Sequence, residues 1–191
     1  MKKIISMALS LAFILNMTAI SAFAVSSSGK KTGLDEVDKQ AMELMKRGAS
    51  SREILGVYKE AGIISEEEFE TLVAYDESLM QDGAVELNLL SRATPELGDY
   101  YYTTTRISYD TIFDTIADVT ITAIATVIAA ELGVGAAIVM IPARFIYNTW
   151  RDNQTFEGEG IKITIRWVWA YNDNEMQERW HPQYDDYEVY Y

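Results

Sequence analysis

VTITAIATVIAAELGVGAAIVMI, residues 119–141, is an apolar run interrupted by one charge, Glu131. An ordinary surface helix is polar over most of its circumference, so this run is either the core of a globule or a segment that seeks lipid. About 20 apolar residues suffice to cross a hydrocarbon layer as a helix, and the run is that long. Gly133-Val134-Gly135 lies inside it and breaks helical continuity, which predicts two helices joined at a glycine bend. The first would end near Leu132 and the second would cover Ala136 to Trp150. If the first helix starts at Tyr109, Thr111, Asp114, Thr115, Asp118, Thr122 and Thr126 share roughly a third of its circumference, and apolar side chains take the rest.

On either side of this region the period changes. Residues 161–171, IKITIRWVWAY, place Ile161, Ile163, Ile165, Trp167, Trp169 and Tyr171 on one face and Lys162, Thr164 and Arg166 on the other. That is the period of a half-buried strand. Residues 99–109, DYYYTTTRISY, are rich in Tyr and Thr and are predicted to be its partner. The tail from Tyr184 to Tyr191 offers a further edge strand, and Glu157-Gly158-Glu159-Gly160 a turn.

From Leu34 to Ser91 the chain reads as short acidic helices. Leu34, Val37, Ala41, Leu44 and Met45 are helically spaced up to Gly48, and a second helix carries Ile54, Leu55, Val57 and Tyr58 up to Gly62. Ser65 with Glu68 has the spacing of a capping box, ahead of a third helix that buries Phe69, Leu72 and Val73. The fold class expected is α+β: an acidic helical amino-terminal module (34–91), then a small antiparallel sheet packed with an apolar helical hairpin (99–191), with Ser91 to Gly98 as the boundary.

The stretch ILGVYKEAGIISEEEFE, residues 54–70, resembles the short bacterial SHOCT module: a Leu-bearing helix, Gly-Ile-Ile-Ser, then Glu-Glu-Glu-Phe. The resemblance extends over residues 50–80 and leaves the rest of the chain unassigned. It implies a helical module that mediates oligomerisation or tethering, and hence self-association through the amino-terminal helices.

The first residues have the parts of an export signal. Lys2 and Lys3 precede an apolar stretch from Ile4 to Leu15, and Ala22 and Ala24 are small residues suited to cleavage after residue 24. Residues 25–33 then form a flexible, Ser-rich leader. Cysteine is absent, so disulfides, thiolate metal sites and a lipid-bearing cysteine are excluded. A secreted protein of Gram-positive type, associated with the cell envelope, is the localisation these features suggest. The formal charge is −13, and it becomes more negative without Lys2 and Lys3, which opposes binding to nucleic acid.

Catalytic patterns are missing. The single histidine, His181, stands near Asp185 and Asp186 but lacks a second nitrogen or sulfur ligand, and it cannot build a Ser-His-Asp triad. No catalytic residue, cofactor or metal ligand is assigned, and the reading is non-enzymatic. Two functions remain open. In one, the hairpin enters a bilayer, as in bacteriocin-like secreted effectors, through Val119, Ile124, Val127, Ile128, Leu132, Gly133, Gly135, Ile138 and Ile141; Glu131 opposes this. In the other, the hairpin is ordinary core and the chain is an extracellular protein- or glycan-binding or assembly module, with Trp167, Trp169 and Tyr171 as binding surface. A fixed span through the run is the third arrangement, with Arg144 and Arg151 on the inner side.

Overall fold

A computed structural model describes residues 35–81, 95–152, 155–172 and 177–191. The expected signal sequence and leader lie outside these residues. The elements are α1 (Glu36–Lys46), α2 (Ser51–Glu60), α3 (Glu66–Gln81), β1 (Tyr100–Ser108), α4 (Tyr109–Thr115), α5 (Ile121–Leu132), a 3-10 turn (Ala136–Val139), α6 (Met140–Arg151), β2 (Gly160–Asn172) and β3 (Gln177–Tyr190). The fold is α+β, with a bent helix pair packed against a three-stranded sheet.

The sheet is an antiparallel meander in the order β1-β2-β3. Ile161, Ile163 and Ile165 of β2 are buried together with Ile107 of β1 and Tyr184 of β3. The register explains this, because Ile107 faces Ile161, Thr105 faces Ile163, and Ile165 faces Tyr184. One face of β2 is thus core and the other is not, as its period demands. Between Thr164 and Ile165 the β2–β3 register shifts, which leaves Asp185 as the extra residue of a bulge.

Each amino-terminal helix begins on a side-chain cap. Asp35 accepts from the Asp38 amide, and Ser50 and Glu53 form a reciprocal capping box. Ser65 and Glu68 form a second one: the Glu68 amide donates to Ser65 Oγ (3.2 Å) and the Ser65 amide to Glu68 Oε2 (2.9 Å). These three helices do not form a separate body. Leu34–Tyr191 is one compact unit, and Ile54, Leu55, Tyr58, Phe69 and Leu72 belong to the same core cluster as the apolar run and the sheet.

The apolar run folds as two helices. Gly133 ends α5 in the left-handed conformation, with φ +66°, and the segments Ile121–Leu132 and Ala136–Arg151 are bent by 109°. The helix expected from Tyr109 to Leu132 is instead two. α4 stops at Thr115, Ile116 is extended, and Thr120 starts α5 by accepting from the Ala123 amide. The Thr/Asp stripe is therefore interrupted after Thr115.

Ile163→Ala should lower unfolding free energy by about 2–5 kcal/mol, the cost of a cavity where β2 meets the helices. Thr164→Ala, one residue along on the other face, should change it by about 0.5 kcal/mol or less. Denaturant titrations of the two variants check the difference.

Candidate functional site

Two features of this fold invite a functional reading: the bend of the apolar helix pair and the outer face of the sheet. The bend is seated on α3. Asp76, 2 % exposed, accepts hydrogen bonds from the amides of Ala136 (2.6 Å) and Ala137 (3.2 Å) at the start of the 3-10 turn. Gly135 leaves room for this carboxylate, since a Cβ there would lie 2.9 Å from Asp76 Oδ2. A glycine was legible in the sequence as a helix breaker; here it also permits the close approach of a side chain from 59 positions earlier.

Two further contacts tie the pair to the acidic helices. Thr122 Oγ1 donates to Glu68 Oε1 (3.0 Å). Arg144 of α6 reaches α1, donating to Asp38 Oδ1 (2.6 Å) and Asp35 Oδ2 (2.8 Å). Tyr58 donates its phenolic hydrogen to Asp38 (3.2 Å), and the guanidinium lies 5.7 Å from the Tyr58 ring centre. Arg144, named from the sequence as an inner-side charge of the fixed-span arrangement, is engaged in a half-buried ion-pair cluster.

Among the residues expected to meet lipid, Ile124, Ile128, Ile138 and Ile141 are buried within the protein. Val119, Val127, Leu132, Gly133 and Gly135 are half-buried, and Glu131 is exposed. No described helix is by itself long and apolar enough to cross a membrane; the bent pair is, when its two parts are taken together.

The aromatic residues divide between the two faces of the sheet. On the inner face Trp167 is buried and stacked on Tyr101 at 6.1 Å, with Trp180 edge-on to Tyr101 at 4.7 Å and Trp169 edge-on to Trp180 at 5.3 Å. Trp167 Nε1 donates to Thr103 Oγ1 and Trp169 Nε1 to Glu178 Oε2. Of the three residues expected to form a binding surface, Trp167 lies in the core, Trp169 is half-buried and Tyr171 is exposed.

The outer face presents a set that strand parity alone would have revealed once β1 was registered against β2. Tyr100 (57 % exposed) and Tyr102 (51 %) lie there with Thr104 and Arg106, beside Lys162, Thr164 and Arg166. The Arg166 guanidinium lies 4.5 Å from the Tyr100 ring centre, and Tyr100 and Tyr102 meet edge to face at 5.8 Å. Arg106 lies 5.5 Å from the ring of Tyr190, and Lys162 pairs with Glu188. Arg106, Lys162 and Arg166 share this face with Asp186 and Glu188 of β3. Among the described residues no group of three His, Asp or Glu side chains could hold a metal ion.

No protein-family model, curated protein or solved structure matches this chain.

The acids of the bend cluster titrate in opposite senses. Burial pushes the Asp76 and Asp38 carboxyls above the usual aspartate range, the latter even beside Arg144; the Arg144 hydrogen bond holds Asp35 below it. A raised carboxyl in the folded state favours folding in acid and loses that contribution as pH rises; a lowered one contributes above its ordinary pKa of about 4 and loses it below. Acidification from pH 7.5 to 5 should therefore leave stability unchanged or raise it, with loss below about pH 4. Asp76→Ala should cost about 2–4 kcal/mol, because two buried amides lose their acceptor. Asp76→Asn, which keeps one acceptor oxygen, should cost less. Thermal unfolding across pH, with both variants, measures these effects.

Proposed function

We propose that this chain is an exported, non-enzymatic binding module that works at the cell envelope. In this reading the apolar helix pair is its core and the outer sheet face its contact surface. The observation that carries the reading is the pair of exposed rings, Tyr100 and Tyr102, beside the half-buried Arg166 on a sheet whose other face is filled by core. Tyrosine rings offer apolar faces with a polar tip, and a guanidinium stacked on a ring is a preorganised donor; both recur where proteins hold glycans or other proteins. The hairpin supports this reading by its burial and by its three polar ties, through Asp76, Glu68 and the Asp35–Asp38 pair. Leaving the globule would strand these groups without partners, at several kcal/mol.

The SHOCT-like stretch supports a role in tethering. Its apolar residues Ile54, Leu55, Tyr58, Phe69 and Leu72 are spent within this chain's own core, so tethering would use the exposed acidic side of the helices. Membrane entry is the second reading, favoured by one observation: the bent pair has the combined length and composition of a span.

Co-sedimentation with Gram-positive cell-wall sacculi and flotation with anionic liposomes, at pH 5 and 7.5, separate the two readings. Binding to sacculi that falls about tenfold or more in a Tyr100→Ala, Tyr102→Ala double variant of unchanged thermal stability is the result expected. Flotation with dye release, insensitive to those substitutions, would instead favour the membrane reading.

A further inference from the structure

The two edges of the sheet are built differently. β3 carries Pro182, the bulge at Asp185, and charged residues along its length, all devices that discourage pairing with another strand. β1, sequence YYYTTTRIS, has no proline, glycine or bulge, and Arg106 is its single charge. Its free edge can be located from the hydrogen bonds at its two ends. The Trp169 amide donates to the Asp99 carbonyl (2.8 Å) and the Tyr109 amide to the Glu159 carbonyl (3.1 Å), so odd-numbered positions face β2. Tyr100, Tyr102, Thr104 and Arg106 consequently direct their backbone N–H and C=O groups away from β2. Among the described residues no hydrogen bond engages those outward groups.

We propose that β1 is a docking edge for β1 of a second copy of this chain, the two strands pairing antiparallel about a two-fold axis at Thr104 to give one six-stranded sheet. The residues fit this register from end to end. With Thr104 opposite its own copy, Tyr102 faces Arg106, a ring against a guanidinium, and Tyr100 faces Ser108. On the inner face Tyr101 meets Ile107 and Thr103 meets Thr105. No like charges stand opposite each other, although each chain carries net −13. The even-numbered residues that meet are the ones whose backbone groups point outward, so the register also satisfies the hydrogen bonds. An isologous contact of this kind closes at two copies, which suits an edge that would otherwise template open-ended association. The pairing does not depend on what the outer face binds, but it would join the Tyr100, Tyr102 and Arg166 sets of two chains into one surface.

The chain has no cysteine, so a single introduced thiol reports the contact cleanly. Opposed residues of a hydrogen-bonded antiparallel pair have Cα atoms about 5.5 Å apart, within disulfide range. Thr104→Cys in the full chain should form a covalent dimer under mild oxidation, while Asp186→Cys on the β3 edge should not. In sedimentation velocity the unsubstituted chain should be dimeric, more so as salt screens the net charge, and Thr104→Lys should weaken the dimer several-fold or more without altering thermal stability. A monomer at every salt concentration would overturn the proposal. So would a dimer that survives Thr104→Lys, or one that cross-links as readily through Asp186→Cys.

Discussion

A carboxylate with almost no solvent contact holds the middle of this protein together. Asp76 reaches from α3 to two backbone amides, Ala136 and Ala137, at the point where an apolar run turns back on itself. Amides at the start of a helical turn have no partner within it, and here they are buried; the structure satisfies them with a charged acceptor. That choice has consequences on both sides. Gly135 must remain without a side chain, and α3 must lie across the bend, which draws the acidic helices into the same core as the sheet. Arg144 with Asp35 and Asp38, and Thr122 with Glu68, reinforce the same junction from other directions.

The arrangement buries most of an apolar run whose bent helix pair has the combined length of a membrane span. Its isoleucines belong to one core cluster with the sheet and the helical module, and its backbone bend is capped by a side-chain partner that lipid could not supply. The sheet meanwhile has one face committed to packing. Its opposite face, with two exposed tyrosines and a guanidinium on a ring, is free for contact with something else. Core and outer positions are thus divided by strand parity, residue by residue along β1 and β2.

Local rules made much of this architecture legible. The period of Ile161, Ile163 and Ile165 announced the central strand, Gly133 and Gly135 the bend, and Ser65 with Glu68 a helix start. The break between α4 and α5 was not seen, because no proline or glycine marks residues 116–120 and the Thr/Asp spacing continues smoothly across it. Thr120 as a cap was the signal available, and a β-branched residue in an apolar run is easily read as helix interior. The Asp76 and Arg144 contacts join residues 60 and more than 100 positions apart, and nothing in a single sequence pairs them. Trp167 and Trp169 read as a binding surface for their aromatic character although they share the parity of Ile165, which places them on the packed side; Tyr100 and Tyr102, of opposite parity to Tyr101, lie on the open one.

Amide hydrogen exchange at residues 136–141, in buffer and with anionic vesicles present, tests the central claim most directly. If the bend is a fixed part of the core, these amides exchange only through global unfolding, with the same protection in both conditions. Rapid exchange in buffer, or protection that changes selectively at the bend when vesicles are added, would contradict a hairpin anchored through Asp76.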